Sequence, residues 1–433
     1  MTPIRTNRLL AAPLVLALAL GLSGCGVFGG GKSGPKTPTV GKRVPILSRI
    51  ETGAKVDPAL ASVAVLVPTQ EPNADWPQAG NTPNKAYGNL AMANAPQRLW
   101  QGSIAGSTNK QRLAAAPVVG NGKLYVMDTE GVVSAFDAAT GARRWQRSYS
   151  ISGDGSSSVF GGGVSYDSGK VFLTTGVGTV AALDADTGNE LWKVKPAGPL
   201  RGSPTIAFNA VYVMTQDNQL HALNSADGTS LWRESGSLGQ AGVFGVAAPA
   251  AGQGTVITGY SSGEVAAYRY ENGRTLWSDA LARTSIATQV GVLTDVDADP
   301  IIDRGRVTGQ RIWELSLAGI STPEVAGDWI FTLTDDARLL CIARTSGKVR
   351  WLNQLARYKN EKKKKNPIFW TGPVLAADRL WIANSEGQVF SASVADGSVS
   401  EFTKLGSGVS LPPIVANGVL YILDDGGKIS AFR

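Results

Sequence analysis

PTIAFNAVYVMTQDNQLHALNSADGTSLW, residues 204–232, is the stretch on which the reading of the fold turns. Two short apolar runs, 210–215 and 219–224, flank the polar turn Gln216-Asp217-Asn218. A second turn, Ser225-Ala226-Asp227-Gly228, leads into a last strand closed by Leu231-Trp232. Apolar alternation bounded by Asn, Asp and Gly clusters predicts a meander of short antiparallel strands. So small a meander cannot bury its own faces and needs neighbours.

The chain supplies them by repetition. Trp100, Trp145, Trp192, Trp232, Trp277, Trp313 and Trp351 stand 45, 47, 40, 45, 36 and 38 residues apart. Glu401, 50 residues after Trp351, holds the same place in a degenerate copy. Four residues before each of the last seven positions is a glycine: Gly141, Gly188, Gly228, Gly273, Gly309, Gly347 and Gly397. Twenty-eight residues before most of them is a proline, at 117, 204, 249, 323 and 373, with Val164 in the second copy. Such periods with four strands' worth of pattern predict the blades of a β-propeller. The glycine supplies a positive-φ turn into the outer strand, and the indole is wide enough to pack between blades. The chain shows neither helical heptads nor amphipathic stretches between strands, which excludes a βαβ protein.

Counting first strands near residues 117, 164, 204, 249, 300, 323, 373 and 413 predicts an all-β, eight-bladed ring. The last copy ends at Phe432 without its outer strand, and Gln97-Arg98-Leu99-Trp100-Gln101 matches the missing piece. The N-terminal strand is therefore expected to close the last blade and hide two edges. The fifth copy is truncated: Pro300 to Trp313 spans 13 residues against 28 elsewhere, fifteen fewer. The end of its second strand and all of its third are missing, which predicts a two-stranded stub. A ring re-closed on seven blades is the alternative.

The N-terminus carries a different message. Arg5 and Arg8 precede an apolar stretch, residues 9–20, too short to span a membrane. Leu22-Ser23-Gly24-Cys25 follows, and charge, apolar core and small residues in this order predict a secretory signal over residues 1–25. The final tetrapeptide resembles a bacterial lipobox, which implies lipidation of Cys25 and, with Gly26 rather than Asp after it, delivery to the outer membrane. Residues 26–60 are assigned as a flexible tether, rich in Gly, Lys and Pro up to residue 45, and 61–433 as the propeller. Residues 62–68, SVAVLVP, are expected to add a strand at the rim, and Trp76 to pack on the first repeats.

Composition narrows the function. The 433 residues are 43% apolar and 17% charged, with 52 glycines and a net charge of +7. Without the two arginines of the signal, 39 basic residues face 34 acidic ones, a balance with no nucleic-acid signature. Cys341, in the apolar run Leu339-Leu340-Cys341-Ile342, is expected to be buried and inert. His221 is the single histidine and reads as a strand residue.

The motif Asp-x-x-Thr-Gly-x-x-x-Trp, complete at Asp137 to Trp145 and at Asp184 to Trp192, resembles the repeat of pyrroloquinoline-quinone (PQQ) dehydrogenases. With the lipobox, the chain is similar over residues 75–433 to the BamB family of lipoproteins in the outer-membrane β-barrel assembly machinery. Leu200-Arg201-Gly202 and Asp295-Val296-Asp297 resemble two loops through which that family contacts the periplasmic POTRA domains of the barrel subunit BamA. The resemblance thus implies Leu200, Arg201, Asp295 and Asp297 as partner-binding residues, and Cys25 as the anchor on the periplasmic face of the outer membrane. It further implies a non-catalytic scaffold without cofactor or metal, whose partners are BamA, other assembly subunits and unfolded β-barrel clients. A PQQ-dependent dehydrogenase, the enzymatic alternative, would need adjacent cysteines that this chain lacks. An envelope-binding propeller is the third reading, with Lys359-Asn360-Glu361 and Lys362 to Lys365 as a basic loop for anionic head groups.

Overall fold

A computed structural model describes residues 54–149, 160–237, 247–281, 296–303, 309–315, 317, 319 and 321–433. Cys25, Asp295, the signal and residues 26–53 of the tether lie outside the described residues. Within them, a single 3-10 turn (Pro58–Leu60) accompanies strands arranged as seven four-stranded antiparallel sheets and one two-stranded hairpin.

The founding stretch folds as read. Strands Thr205–Ala207, Ala210–Met214, Gln219–Asn224 and Ser230–Ser235 pair in sequence, with Val213 opposite His221 and Ala222 opposite Trp232. Its middle strands are buried almost throughout because each face is covered by another blade. Six further sheets cover 118–148, 162–194, 250–280, 324–354, 370–404 and 414–432. In the last, Arg98–Ser103 pairs with Lys428–Phe432 as the outermost strand, so the chain's beginning completes its end.

The glycine–tryptophan spacing has two physical reasons, one of which the sequence left hidden. Gly188 takes φ +70° in its turn, as expected. A Cβ added there would also lie 2.6 Å from the Trp145 ring of the preceding blade. The same clash, at 2.4–2.7 Å, recurs at Gly141 on Trp100, Gly228 on Trp192, Gly273 on Trp232, Gly309 on Trp277, Gly347 on Trp313 and Gly397 on Trp351. Each indole lies flat on the next copy's glycine and donates Nε1–H to a carbonyl three residues before it. The acceptors are Ala138, Ala185, Ser225, Tyr270, Arg344 and Val394 for Trp100, Trp145, Trp192, Trp232, Trp313 and Trp351, at 2.7–3.2 Å. Trp277, facing the truncated copy, is the exception: among the described residues its buried Nε1 has no acceptor, and the corresponding position, 306, lies outside them.

Eight blades is one too many. The fifth copy forms no ladder among the described residues, so neither the eighth blade nor the two-stranded stub is present. The fifteen absent residues are the central strands to which an inner and an outer strand would bond. Its two remnants still stand between their neighbours. Ile302 packs with Ala250, Ile257 and Ala267 of the fourth blade, while Trp313 and Leu315 lie against Leu340, Ile342 and Val349 of the next. Arg344 ties the inner remnant down through an ion pair with Asp303 at 2.5 Å.

Residues 62–68 pair with nothing as a strand, although Val65 is buried against Trp329 and Phe331. The rim is met instead by a parallel bridge between Val56 and Val349. Trp76 joins the core beside Val119, as expected. It lies in a segment, residues 73–90, that bonds to the inner strand of every copy except the one at 324–326. Trp76 pairs with Val119, Pro77 accepts from Tyr166 N, Gln78 from Ile206 N, Pro83 from Ala251 N and Asn84 from Ile302 N. Leu90 bonds to Leu375 and Ala377, and Asn73 to Val415 and Asn417. These otherwise unpaired inner edges account for the irregular path of residues 73–90.

Candidate docking face

In an antiparallel meander, the loops joining one blade to the next emerge on the same face as the turns between second and third strands. Leu200 and Arg201 lie in such a loop, fixed on both sides. Arg201 N donates to Met214 O at 2.8 Å, Gln216 N to Pro199 O at 2.8 Å, and Gly162 N of the preceding blade to Arg201 O at 2.9 Å. Thr174 Oγ1 donates to Gly202 O at 2.7 Å. A Cβ on Gly161 would fall 2.3 Å from Leu200 O, so that glycine allows the close approach.

The side chains do not face outward. Leu200 is fully buried in the cluster of Phe172, Trp192, Ile206 and Val211 between the second and third blades. Arg201 is only 4% exposed and forms an ion pair with Asp297, Nη2 to Oδ1 at 3.4 Å. The structure therefore brings together two residues 96 apart and places their charges inside. A buried pair of this kind fixes geometry more than it adds stability, and removing one partner strands a charge.

Asp297 and Asp299 line a central cavity of about 240 Å³ together with Trp76, Tyr87, Ser203 and Trp370. Asp299 accepts from Ala248 N at 2.8 Å, and its own N–H donates to Thr322 Oγ1 at 3.1 Å. Its carboxyl is pushed up by burial and pulled back by Lys85, whose ammonium lies 3.9 Å away. The Lys85 side chain is fully buried, and Nζ donates to Ala79 O at 2.5 Å. Burial lowers its pKa, opposed by Asp299. Sequence reasoning missed Lys85, because a lysine in AGNTPNKAYG reads as solvated. Its one sequence signal is Gly80, whose absent side chain leaves room for the lysine stem.

The basic stretch is an ordered hairpin on this face, Tyr358–Asn360 paired with Lys365–Pro367. Glu361 is occupied by the Arg357 and Tyr358 amides, and Lys359 is paired with Glu386 at 2.5 Å. Lys362, Lys363, Lys364 and Lys365 are exposed, and Phe369 beside them is 67% exposed.

His221 lies inside a strand between Val213 and Arg233, its pKa lowered by burial and by Arg233. Burial raises the Cys341 thiol far above neutrality, which keeps it protonated and unreactive. Among the described residues no three His, Cys, Asp or Glu side chains converge as metal ligands.

Fold, repeat and inter-blade tryptophans define a β-propeller of PQQ-like repeats. The sequence model of the family described as "Outer membrane protein assembly factor BamB" matches residues 80–159, 129–308 and 306–399, and the chain belongs to this family. It is 24% identical over 358 residues to the BamB of Yersinia pestis, spanning 78% of this chain and 89% of that one. With the BamB of Vibrio cholerae it shares 29% over 350 residues, covering 77% and 88%. The crystal structure of BamB from Moraxella catarrhalis superposes with a TM-score of 0.63 at 18% identity, over 78% of this chain and 99% of that one. A quinohemoprotein alcohol dehydrogenase from Comamonas testosteroni gives 0.57 at 13% identity, over 89% and 84%, a likeness of fold alone.

Proposed function

We propose that the chain is a non-catalytic assembly factor for outer-membrane β-barrel proteins, held to the periplasmic face of the outer membrane by acylated Cys25 and docked on the POTRA domains of BamA. Membership of the BamB family carries the reading, and the contact between Arg201 and Asp297 supports it. The pair locks the loop entering the third blade to the loop before the truncated copy, so that both present a fixed surface. Leu200, Arg201 and Asp297 then act as positioning residues, and Asp295, outside the described residues, is included with them from the resemblance alone.

Co-purification with BamA tests this. Arg201→Glu sets two carboxylates against each other and is expected to cut recovery of BamA by about tenfold or more. Arg201→Glu with Asp297→Arg rebuilds the pair in reverse and is expected to regain most of it. Undiminished recovery with the single variant overturns the assignment. If both variants lose BamA equally while melting like the parent chain, the residues contact BamA directly and the positioning role falls.

A further inference from the structure

The connection from Gln354 to Trp370 is longer than its counterpart after the next blade. It takes fifteen residues, 355–369, where 405–413 takes nine. Its sequence explains the difference. RYKNEKKKKNP, residues 357–367, sets the polar turn Glu361 to Lys364 between two short arms, Tyr358–Asn360 and Lys365–Pro367. Glu361 Oε1 accepts from the Arg357 and Tyr358 amides at 2.8 and 3.1 Å, and Asn360 Oδ1 from Lys363 N at 3.0 Å. At the base, Ile368 N donates to Arg357 O at 2.8 Å and Trp370 Nε1 to Ala356 O at 2.9 Å. Both arms are exposed apart from Tyr358, so an ordered hairpin about 10 Å long projects from the ring.

The bonds that order the hairpin occupy its acid and leave its bases facing water. Glu361 is turned onto its own backbone, and the neighbouring Glu386 is neutralised by Lys359. Lys362, Lys363, Lys364 and Lys365 are exposed, and among the described residues their side chains form no hydrogen bond or ion pair. The positive surface runs on across the blade over 370–404. Phe369 O accepts from Ser385 N at 2.9 Å and Gly387 O from Leu405 N at 2.7 Å, which sets the exposed Lys404 beside the same turn. Lys428 is exposed next to it, its Nζ 4.0 Å from where a Cβ on Gly406 would lie. The acids here are engaged: Asp424 is 1% exposed and accepts from Lys428 N at 3.0 Å, and Asp425 accepts from Ser410 Oγ at 2.9 Å.

We propose that this hairpin seats the ring on a membrane surface, Lys362 to Lys365 meeting the phosphates of anionic phospholipid head groups. Charge complementarity and shape argue for that occupant. A convex tip of four successive lysines suits a flat array of phosphates, which takes the charge in any rotation, whereas an acidic protein would need carboxylates placed to match. Phe369, 67% exposed beside the lysines, suits the head-group layer, where aromatic rings settle. The N-terminal segment joins the blade that carries the hairpin. Val56 bridges to Val349, Asp57 pairs with Lys348 at 2.9 Å, and Arg350 Nε donates to Val63 O at 2.7 Å, all on or beside the strand Val349–Gln354 that leads into it. The 28 residues from 26 to 53 reach roughly 100 Å at most, so an anchor at Cys25 keeps the ring close to the bilayer. The hairpin is three blades away from the Arg201 loop, which leaves both surfaces usable together. The inference takes the proposed anchor as its setting, but its test uses unacylated chain without BamA, so its failure leaves that reading standing.

The chain from Gly26 onward, which keeps every described residue, is sedimented with vesicles of phosphatidylglycerol mixed equally with phosphatidylcholine, and with phosphatidylcholine alone. Binding is expected to the mixed vesicles only, and to be lost as salt rises from about 0.1 M to about 1 M. Lys362→Gln, Lys363→Gln, Lys364→Gln and Lys365→Gln combined are expected to weaken it by about tenfold or more while the chain melts like its parent. A charge-matched control, Arg98→Gln, Lys195→Gln, Arg233→Gln and Arg274→Gln at exposed positions elsewhere on the ring, is expected to weaken it by less than about twofold. No binding to the mixed vesicles, unchanged affinity in the hairpin variant, or an equal loss in the control, which would make net charge the cause, would each overturn the proposal. So would a hairpin variant that binds vesicles normally and loses BamA, since the patch would then meet an acidic protein surface.

Discussion

Trp232→Ala is expected to lower the unfolding free energy by about 3–5 kcal/mol, and Trp277→Ala by only about 1–2 kcal/mol. Both indoles hold the same place in the repeat and lie on the glycine of the following copy. Trp232 is buried between two complete blades, touches Tyr212 and Tyr268, and donates to Tyr270 O at 2.8 Å. Truncating it leaves a cavity with well-packed walls that cannot collapse, and orphans an acceptor. Trp277 is half-buried against an incomplete copy, and its N–H has no acceptor among the described residues. Urea unfolding followed by far-UV circular dichroism measures both. Equal losses would show that the truncated copy packs as fully as a blade.

What the sequence made legible was what the repeat enforces locally. A glycine that must adopt positive φ, and an indole four residues on that must find a flat surface, leave a spacing that survives even where a blade does not. The closure by Trp100 was legible for the same reason, since its strand matched the piece missing at Phe432. The number of blades was not. A blade exists only when its central strands complete a ladder, and Pro300 and Trp313 satisfy the spacing from the two ends of a ladder with no middle. Arg201 and Asp297 were legible as neighbours through family resemblance. Their burial was not, because it depends on how the preceding blade and the 296–299 loop close over them. Least legible was the segment over residues 73–90. Its Asn, Pro and Gly content gives no period, and it is ordered by inner-strand edges more than one hundred residues away in most cases. Lys85, which it buries, therefore had no sequence signature beyond Gly80.

That segment sets up the second large effect, at Glu324. This residue stands on the inner strand Glu324–Ala326, 1% exposed, and neither carboxyl oxygen has a hydrogen-bond partner of normal geometry, although the Tyr87 hydroxyl lies beside it. Burial, with a smaller push from Asp303, raises its pKa well above the ordinary 4.5, against the downward pull of Tyr87 and the Val325 amide. Between 4.5 and the raised value the folded chain keeps a proton that the unfolded chain has released. Over that window the unfolding free energy falls by about 1.4 kcal/mol for each pH unit gained, a loss that is absent at lower pH. Glu324→Gln keeps the shape and removes the titration. Relative to the parent chain, the variant is therefore expected to gain stability steadily as pH rises above 4.5, with the difference levelling off once the buried carboxyl ionises. Parallel urea midpoints across pH 4.5–8 read this directly. A difference between the two chains that stays flat with pH would mean that Glu324 titrates alike in both states, and that the Tyr87 side of the segment leaves it open to water.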